Sequence, residues 1–163
     1  MKRNDNENED LIQINDKVFI LNWTIKDSDE YRYRVKNSKN QTVELTIWTY
    51  YHDIENNSDY LSITLSVNKK SKGYEYGKET GKTGIESLLI AKKILQYHID
   101  NIILASHRFS NWNYYIIIWW DDNKRRDVYY RGLKDLGFNF GQWSAKGWNS
   151  GKCLFKKIII ENK

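Results

Sequence analysis

Four stretches in the first half of the chain carry strand-like patterning. Val18-Phe19-Ile20-Leu21-Asn22-Trp23-Thr24-Ile25 is apolar on both faces, and Tyr31-Arg32-Tyr33-Arg34-Val35 alternates aromatic with charged. Val43-Glu44-Leu45-Thr46-Ile47-Trp48 and Leu61-Ser62-Ile63-Thr64-Leu65-Ser66-Val67 alternate with period two, which sends successive side chains to opposite faces of a sheet. Asp27-Ser28-Asp29, Asn37-Ser38-Lys39-Asn40 and Asn56-Asn57-Ser58-Asp59 separate these runs and have turn chemistry. Four strands joined by short turns predict an antiparallel meander.

The period changes after Gly84. Ile85, Leu88, Leu89, Leu95, Ile99 and Ile102 recur at helical spacing, and Thr83 is placed to cap the start. Tyr114-Tyr115-Ile116-Ile117-Ile118-Trp119-Trp120 then reads as a central strand covered on both faces. A second helix is predicted from about Arg125 to Leu136, with Val128, Tyr129, Leu133 and Leu136 on its apolar side and Gly137 as its stop. Phe138 to Trp143 and Cys153 to Ile160 make a last hairpin around Gly147, Asn149, Ser150 and Gly151. A strand–helix–strand step requires a crossover, so the fourth and fifth of these strands run parallel. The expectation is one α+β domain over residues 16–163, with a mostly antiparallel twisted sheet of about seven strands, a parallel central pair and two main helices. Residues 1–15 are polar and are expected as a flexible tail.

Composition narrows the class. At 163 residues, 40% hydrophobic and 29% charged, the chain has the length and make-up of one globular domain. Seven Trp and twelve Tyr argue for an ordered core. The single cysteine, Cys153, forms no internal disulfide and is read as a small buried apolar residue, which suits a reducing compartment. Met1 to Asp10 lacks an apolar core of the signal-peptide kind, and no window approaches the roughly 20 apolar residues of a membrane span. The expected location is cytoplasmic, with no membrane partner. The chain has no proline and is rich in Asn, Lys, Ile and Tyr, which suits an AT-rich genome such as that of a low-GC bacterium, a phage or a plasmid.

The net charge of +5 and pI near 9.1 favour anionic partners, either nucleic acid or a phosphate-rich cofactor. Lys124-Arg125-Arg126 is the densest basic run and stands at a predicted helix start, where the dipole disfavours cations. It is a candidate anion or nucleic-acid contact. Lys69, Lys70 and Lys72, with Trp112, Trp143 and Trp148, add charge and stacking surface, but no standard nucleic-acid motif accompanies them. The segment Tyr76 to Thr83 imitates a phosphate-binding Walker loop, with three residues between its glycines where four are required. His52, His98 and His107 have no metal-like spacing, and His98 is read as a packed helix residue. No metal is expected.

The order of elements and the phrase from Arg125 to Phe138, closing on Lys134-Asp135-Leu136-Gly137-Phe138, resemble the GNAT acetyltransferase superfamily. The resemblance covers roughly residues 18–160. It implies a GNAT-like fold and an N-acyltransferase that takes acetyl-CoA or another acyl-CoA and an amine acceptor. In that family, backbone amides at the start of the first helix hold the cofactor pyrophosphate. The corresponding residues here are Lys78, Gly81, Lys82, Thr83, Gly84 and Ile85, with Thr83 standing where the family motif has Gly or Ala. The family's second helix often carries a tyrosine that protonates the leaving thiolate, and Leu133 takes that place in this chain. Tyr129 and Tyr130, one turn earlier, are the candidate substitutes, and Glu44 is the candidate base. Asp121 and Asp122 are read as helix-capping carboxylates. The competing expectation is a GNAT-like module without catalysis that binds a host protein or nucleic acid.

Overall fold

The computed structural model describes residues 7–27, 29–68, 82–105, 112–119, 130–143 and 151–158. It is an α+β structure with a mixed sheet. The strands are β1 (Asn8–Ile14), β2 (Lys17–Lys26), β3 (Glu30–Lys36), β4 (Thr42–Asp53), β5 (Ser58–Asn68), β6 (Asn113–Trp119), β7 (Asn139–Trp143) and β8 (Gly151–Ile158). They hydrogen-bond in the order β1-β2-β3-β4-β5-β6-β8-β7. Helix α1 (Lys82–His98) follows β5 and runs into a single π-helical segment, Ile99–Ile103. The chain divides into two compact units: residues 1–48 with 64–97, and residues 49–63 with 98–163.

The first unit starts with a departure from the sequence reading. Residues 8–14, expected within a flexible tail, form β1 and pair with β2 over seven consecutive positions from Asn8↔Trp23 to Ile14↔Lys17. Leu11, Ile12 and Ile14 are interspersed with Asp10 and Gln13, which is enough apolar content for a strand once β2 supplies a neighbour. Tight turns depend on residues that tolerate positive φ. Asn15, Asp27, Asn40 and Asn57 lie at φ of 50–62° in the connections from β1 through β5.

The buried face of this unit is built from Ile12, Phe19, Leu21, Tyr33, Val35, Val43, Leu45 and Ile47. Tyr97 of α1 lies edge-on to Trp23 and Tyr33, which places the helix against that face. The stripe that α1 buries is Ser87, Ile90, Ala91, Ile94 and Leu95. The sequence reading put Ile85, Leu88, Leu89, Leu95, Ile99 and Ile102 on one apolar face, and of these Leu95 and Ile99 are buried. Ile85 and Leu89 are instead exposed, because α1 carries aliphatic residues on more than one side and periodicity does not choose among them.

In the second unit, β5 and β6 run parallel from Ser58↔Asn113 to Ser62↔Ile117, as the crossover argument requires. Ile116, Ile117 and Ile118 are all buried, as expected for a strand covered on both faces. β8 inserts between β6 and β7, antiparallel to both. Of the predicted second helix, Tyr130–Leu133 are helical and Lys134–Leu136 form a 3-10 turn; residues 125–129 lie outside the described residues. Gly137 closes the turn at φ 91°, donating its N–H to the Lys134 carbonyl at 3.0 Å. That left-handed conformation is the one for which glycine carries no side-chain penalty.

Candidate functional site

α1 begins at Lys82, so Thr83 lies inside its first turn, past the position where it would cap the helix. Lys78 and Gly81 lie outside the described residues. Lys82, Thr83 and Gly84 supply first-turn amides that have no intrahelical partner, at the positive end of the helix dipole. No acidic residue stands in that turn. Ile85 follows and is exposed.

The next turn of α1 is tied to the β3–β4 connection. Glu86 accepts the Ser38 N–H at 2.7 Å and the Ser38 hydroxyl at 2.5 Å. Lys17 Nζ stands 3.5 Å from the same carboxylate. Burial opposes the charge on Glu86, but the Ser38 bonds and the Lys17 charge outweigh it, and the carboxyl sits below its usual pKa. Asn37, itself buried, donates from Nδ2 to Ser87 Oγ at 3.2 Å and to Gln41 Oε1 at 2.9 Å. Glu86 and Ser87 of α1 are therefore tied to the β3–β4 connection by side-chain hydrogen bonds.

Glu44 lies on the face of β4 opposite the buried Val43, Leu45 and Ile47. It is the register partner of Arg34 on β3, and its Oε2 accepts the Arg34 Nε–H at 2.7 Å. A carboxylate engaged by a guanidinium in this way is poorly placed to collect a substrate proton. Tyr130 is half-buried in the helical turn ahead of Leu133. Tyr129 and Lys124, Arg125 and Arg126 lie outside the described residues, as do Asp121 and Asp122.

A different titratable pair is assembled by the β4–β5 hairpin. His52 Nδ1 contacts Asp59 Oδ1, and the His52 ring stacks on Trp112 with centroids 5.2 Å apart and planes 22° apart. The imidazole is about half exposed and Asp59 mostly covered. A histidine whose Nδ1 is fixed by a carboxylate offers Nε2 for proton transfer or hydrogen bonding. The sequence reading overlooked this pair because positions 52 and 59 share no motif. Their equal distance from the Ile54–Asn57 turn was the available signal, and it emerges only once the true end of β4 is known.

Beside it, Tyr51, Tyr60 and Tyr115 stack in sequence across β4, β5 and β6, at 5.8 and 5.0 Å. Lys157 of β8 caps the row 5.8 Å from the Tyr115 ring. Tyr60 and Tyr115 are register partners, as are Tyr115 and Lys157.

Among the described residues no group of three or more His, Cys, Asp or Glu side chains is arranged to hold a metal, and no helix is long and apolar enough to cross a membrane. No protein-family model and no curated protein sequence matches this chain.

Proposed function

We propose that this chain is a GNAT-like acyl-CoA-binding protein that works as an N-acyltransferase. The observation that carries the reading is the sequence of connections around β5. An antiparallel meander ends in β5, α1 follows, and β6 returns parallel to β5. The β5–β6 register spans five residues, to Ser62↔Ile117, while β5 runs on to Asn68. In this reading the β5 residues past the last pair present backbone amides to the ligand, and the first-turn amides of α1 supply an anion-binding group. In this reading Lys78, Gly81, Lys82, Thr83, Gly84 and Ile85 hold the pyrophosphate, and β5 amides stabilise the oxyanion as the amine attacks the thioester. The attacking amine loses its proton to water or a carboxylate, and the product thiolate takes one from solvent or from Tyr129 or Tyr130.

A second reading is favoured by the Arg34–Glu44 pair and by Leu133 in place of the family tyrosine. It keeps the same framework without catalysis and assigns the chain to binding a host protein or nucleic acid.

Thermal unfolding of the purified, nucleic-acid-free protein with and without excess acetyl-CoA separates the two. Ligand at about 100 times its dissociation constant adds roughly 2.7 kcal/mol, which raises the midpoint by several degrees at this size. A rise that disappears when Gly81 and Gly84 are replaced by bulky residues supports acyl-CoA binding. No shift at millimolar acetyl-CoA rejects it and favours the macromolecular partner. Turnover of acetyl-CoA with a panel of amines then distinguishes an enzyme from a binder.

A further inference from the structure

The edge formed by β1 has an unusual combination of properties. Among the described residues β1 ends the strand order, so one side of its backbone has no described strand beside it. Its seven pairs with β2 are continuous, so no bulge twists the edge away, and it contains no proline; its charged side chains are the carboxylates Glu9 and Asp10. Bulges and proline are among the devices by which proteins keep an edge strand from pairing with another chain.

The adjoining face is apolar. Ile12, Phe19 and Leu21 are buried toward the α1 side, at 4%, 9% and 0% exposure. Their neighbours of opposite phase, Leu11, Val18 and Ile20, are exposed at 61%, 59% and 54%. Leu11 is the register partner of Ile20, and Val18 sits two residues from Ile20 on the same face. Three of the six large hydrophobic side chains exposed among the described residues thus fall on one hairpin, at its open edge.

We propose that this edge is a homodimer interface in which β1 pairs antiparallel with β1 of a second copy, about a two-fold axis at Leu11. The segment Asn8-Glu9-Asp10-Leu11-Ile12-Gln13-Ile14 suits itself in that arrangement. Leu11 meets Leu11 of the second copy, Asp10 meets Ile12, Glu9 meets Gln13 and Asn8 meets Ile14. No carboxylate directly opposes a carboxylate, and Asp10 of each copy lies diagonal to Asp10 of the other, whereas parallel in-register pairing would set Glu9 and Asp10 directly against themselves. The two-fold makes the contact self-complementary and closed, and it joins two Leu11–Ile20–Val18 patches into one strip. At present the Leu11 N–H is satisfied locally by Asp10 Oδ1 at 2.8 Å; a carbonyl of the second strand replaces that bond, while Asp10 Oδ2 keeps the Tyr97 hydroxyl. A seven-residue edge is a small contact, so the dimer is reversible and dissociates on dilution.

Sedimentation velocity of the full chain over a micromolar to near-millimolar series tests this. The expected result is a dimer fraction that rises with concentration and is lost in Leu11→Lys, whose circular dichroism stays native because the side chain is exposed. In a Cys153→Ser background, Leu11→Cys becomes disulfide-linked on oxidation at concentrations where the dimer is populated, and Val18→Cys, one strand further from the axis, does not. A wild-type chain that stays monomeric throughout overturns the proposal. So does a dimer that survives Leu11→Lys, or one cross-linked through Val18→Cys and not through Leu11→Cys.

Discussion

Glu86 on α1 holds Ser38 in the β3–β4 turn by two hydrogen bonds, across 48 positions of sequence. The carboxylate is largely covered, so the bonds are charge-assisted and shielded from water. Glu86→Ala is expected to cost about 1.5–3 kcal/mol in urea unfolding, the range for hydrogen bonds to charged groups. Lys17→Ala, which removes only an exposed partner, is expected to cost under about 1 kcal/mol. Because the Glu86 carboxyl titrates below its usual value in the folded state, its stabilisation is present above the unfolded-state pKa and fades as pH falls through the folded one.

His98, at the end of α1, gives the opposite kind of group but the same direction with pH. Burial pushes its pKa down from 6.5 to about 3, so the folded protein holds it neutral. The unfolded chain protonates near pH 6.5 and gains stability relative to the fold below that point. Stability is complete above about pH 6.5 and falls by about 1.4 kcal/mol per pH unit as the pH drops toward the folded value. Denaturant midpoints of wild type and His98→Leu between pH 7.5 and about 4.5 check this. The wild-type slope should exceed the variant's, and parallel slopes would show that His98 carries no linkage.

Gly137 is expected to resist substitution for two reasons. Its φ of 91° is left-handed, and a Cβ there would stand 2.9 Å from Lys156 Nζ. The lysine tip can move, so backbone strain dominates, and Gly137→Ala should destabilise by about 1 kcal/mol or more. A double variant that also carries Lys156→Ala should recover little if strain is the cause.

Tyr97 and Asp10 join the end of α1 to the edge strand through a 2.8 Å hydrogen bond. Tyr97→Phe keeps the aromatic packing on Trp23 and Tyr33 and removes the hydroxyl that Asp10 accepts from, so a loss of about 1 kcal/mol is expected. A double-mutant cycle with Asp10→Asn measures the coupling, and a coupling near zero would mean the bond contributes nothing net.

Glu44→Gln tests the catalytic candidate directly. The Arg34–Glu44 pair lies on a partly exposed sheet face, at 45% and 29% side-chain exposure, so its stability contribution should be under about 1 kcal/mol. If the chain turns over acyl-CoA, the rate should survive this substitution. A loss of several orders of magnitude would restore Glu44 as the base.

The sequence by itself determined the types and order of β2 to β8 and of α1. Period-two runs at Tyr31–Val35 and Val43–Trp48, the aliphatic run at Ile116–Ile118 and the glycine at 137 are local signals, set by side-chain alternation and allowed φ. The parallel sense of β5 and β6 was also legible, since a helix between two strands of one sheet needs a crossover.

Three features were decided only by tertiary structure. β1 is a strand because β2 offers it a partner, which its polar sequence does not announce. The rotation of α1 was not fixed by its own pattern: several sides are aliphatic, and the bonds from Asn37 and Ser38 to Ser87 and Glu86 accompany the face that is buried. His52 and Asp59 meet because β4 extends to Asp53 and the hairpin turns just beyond it. Each depends on a pairing between distant segments, and hydrophobic patterning reports only what a segment can bury, not which neighbour buries it.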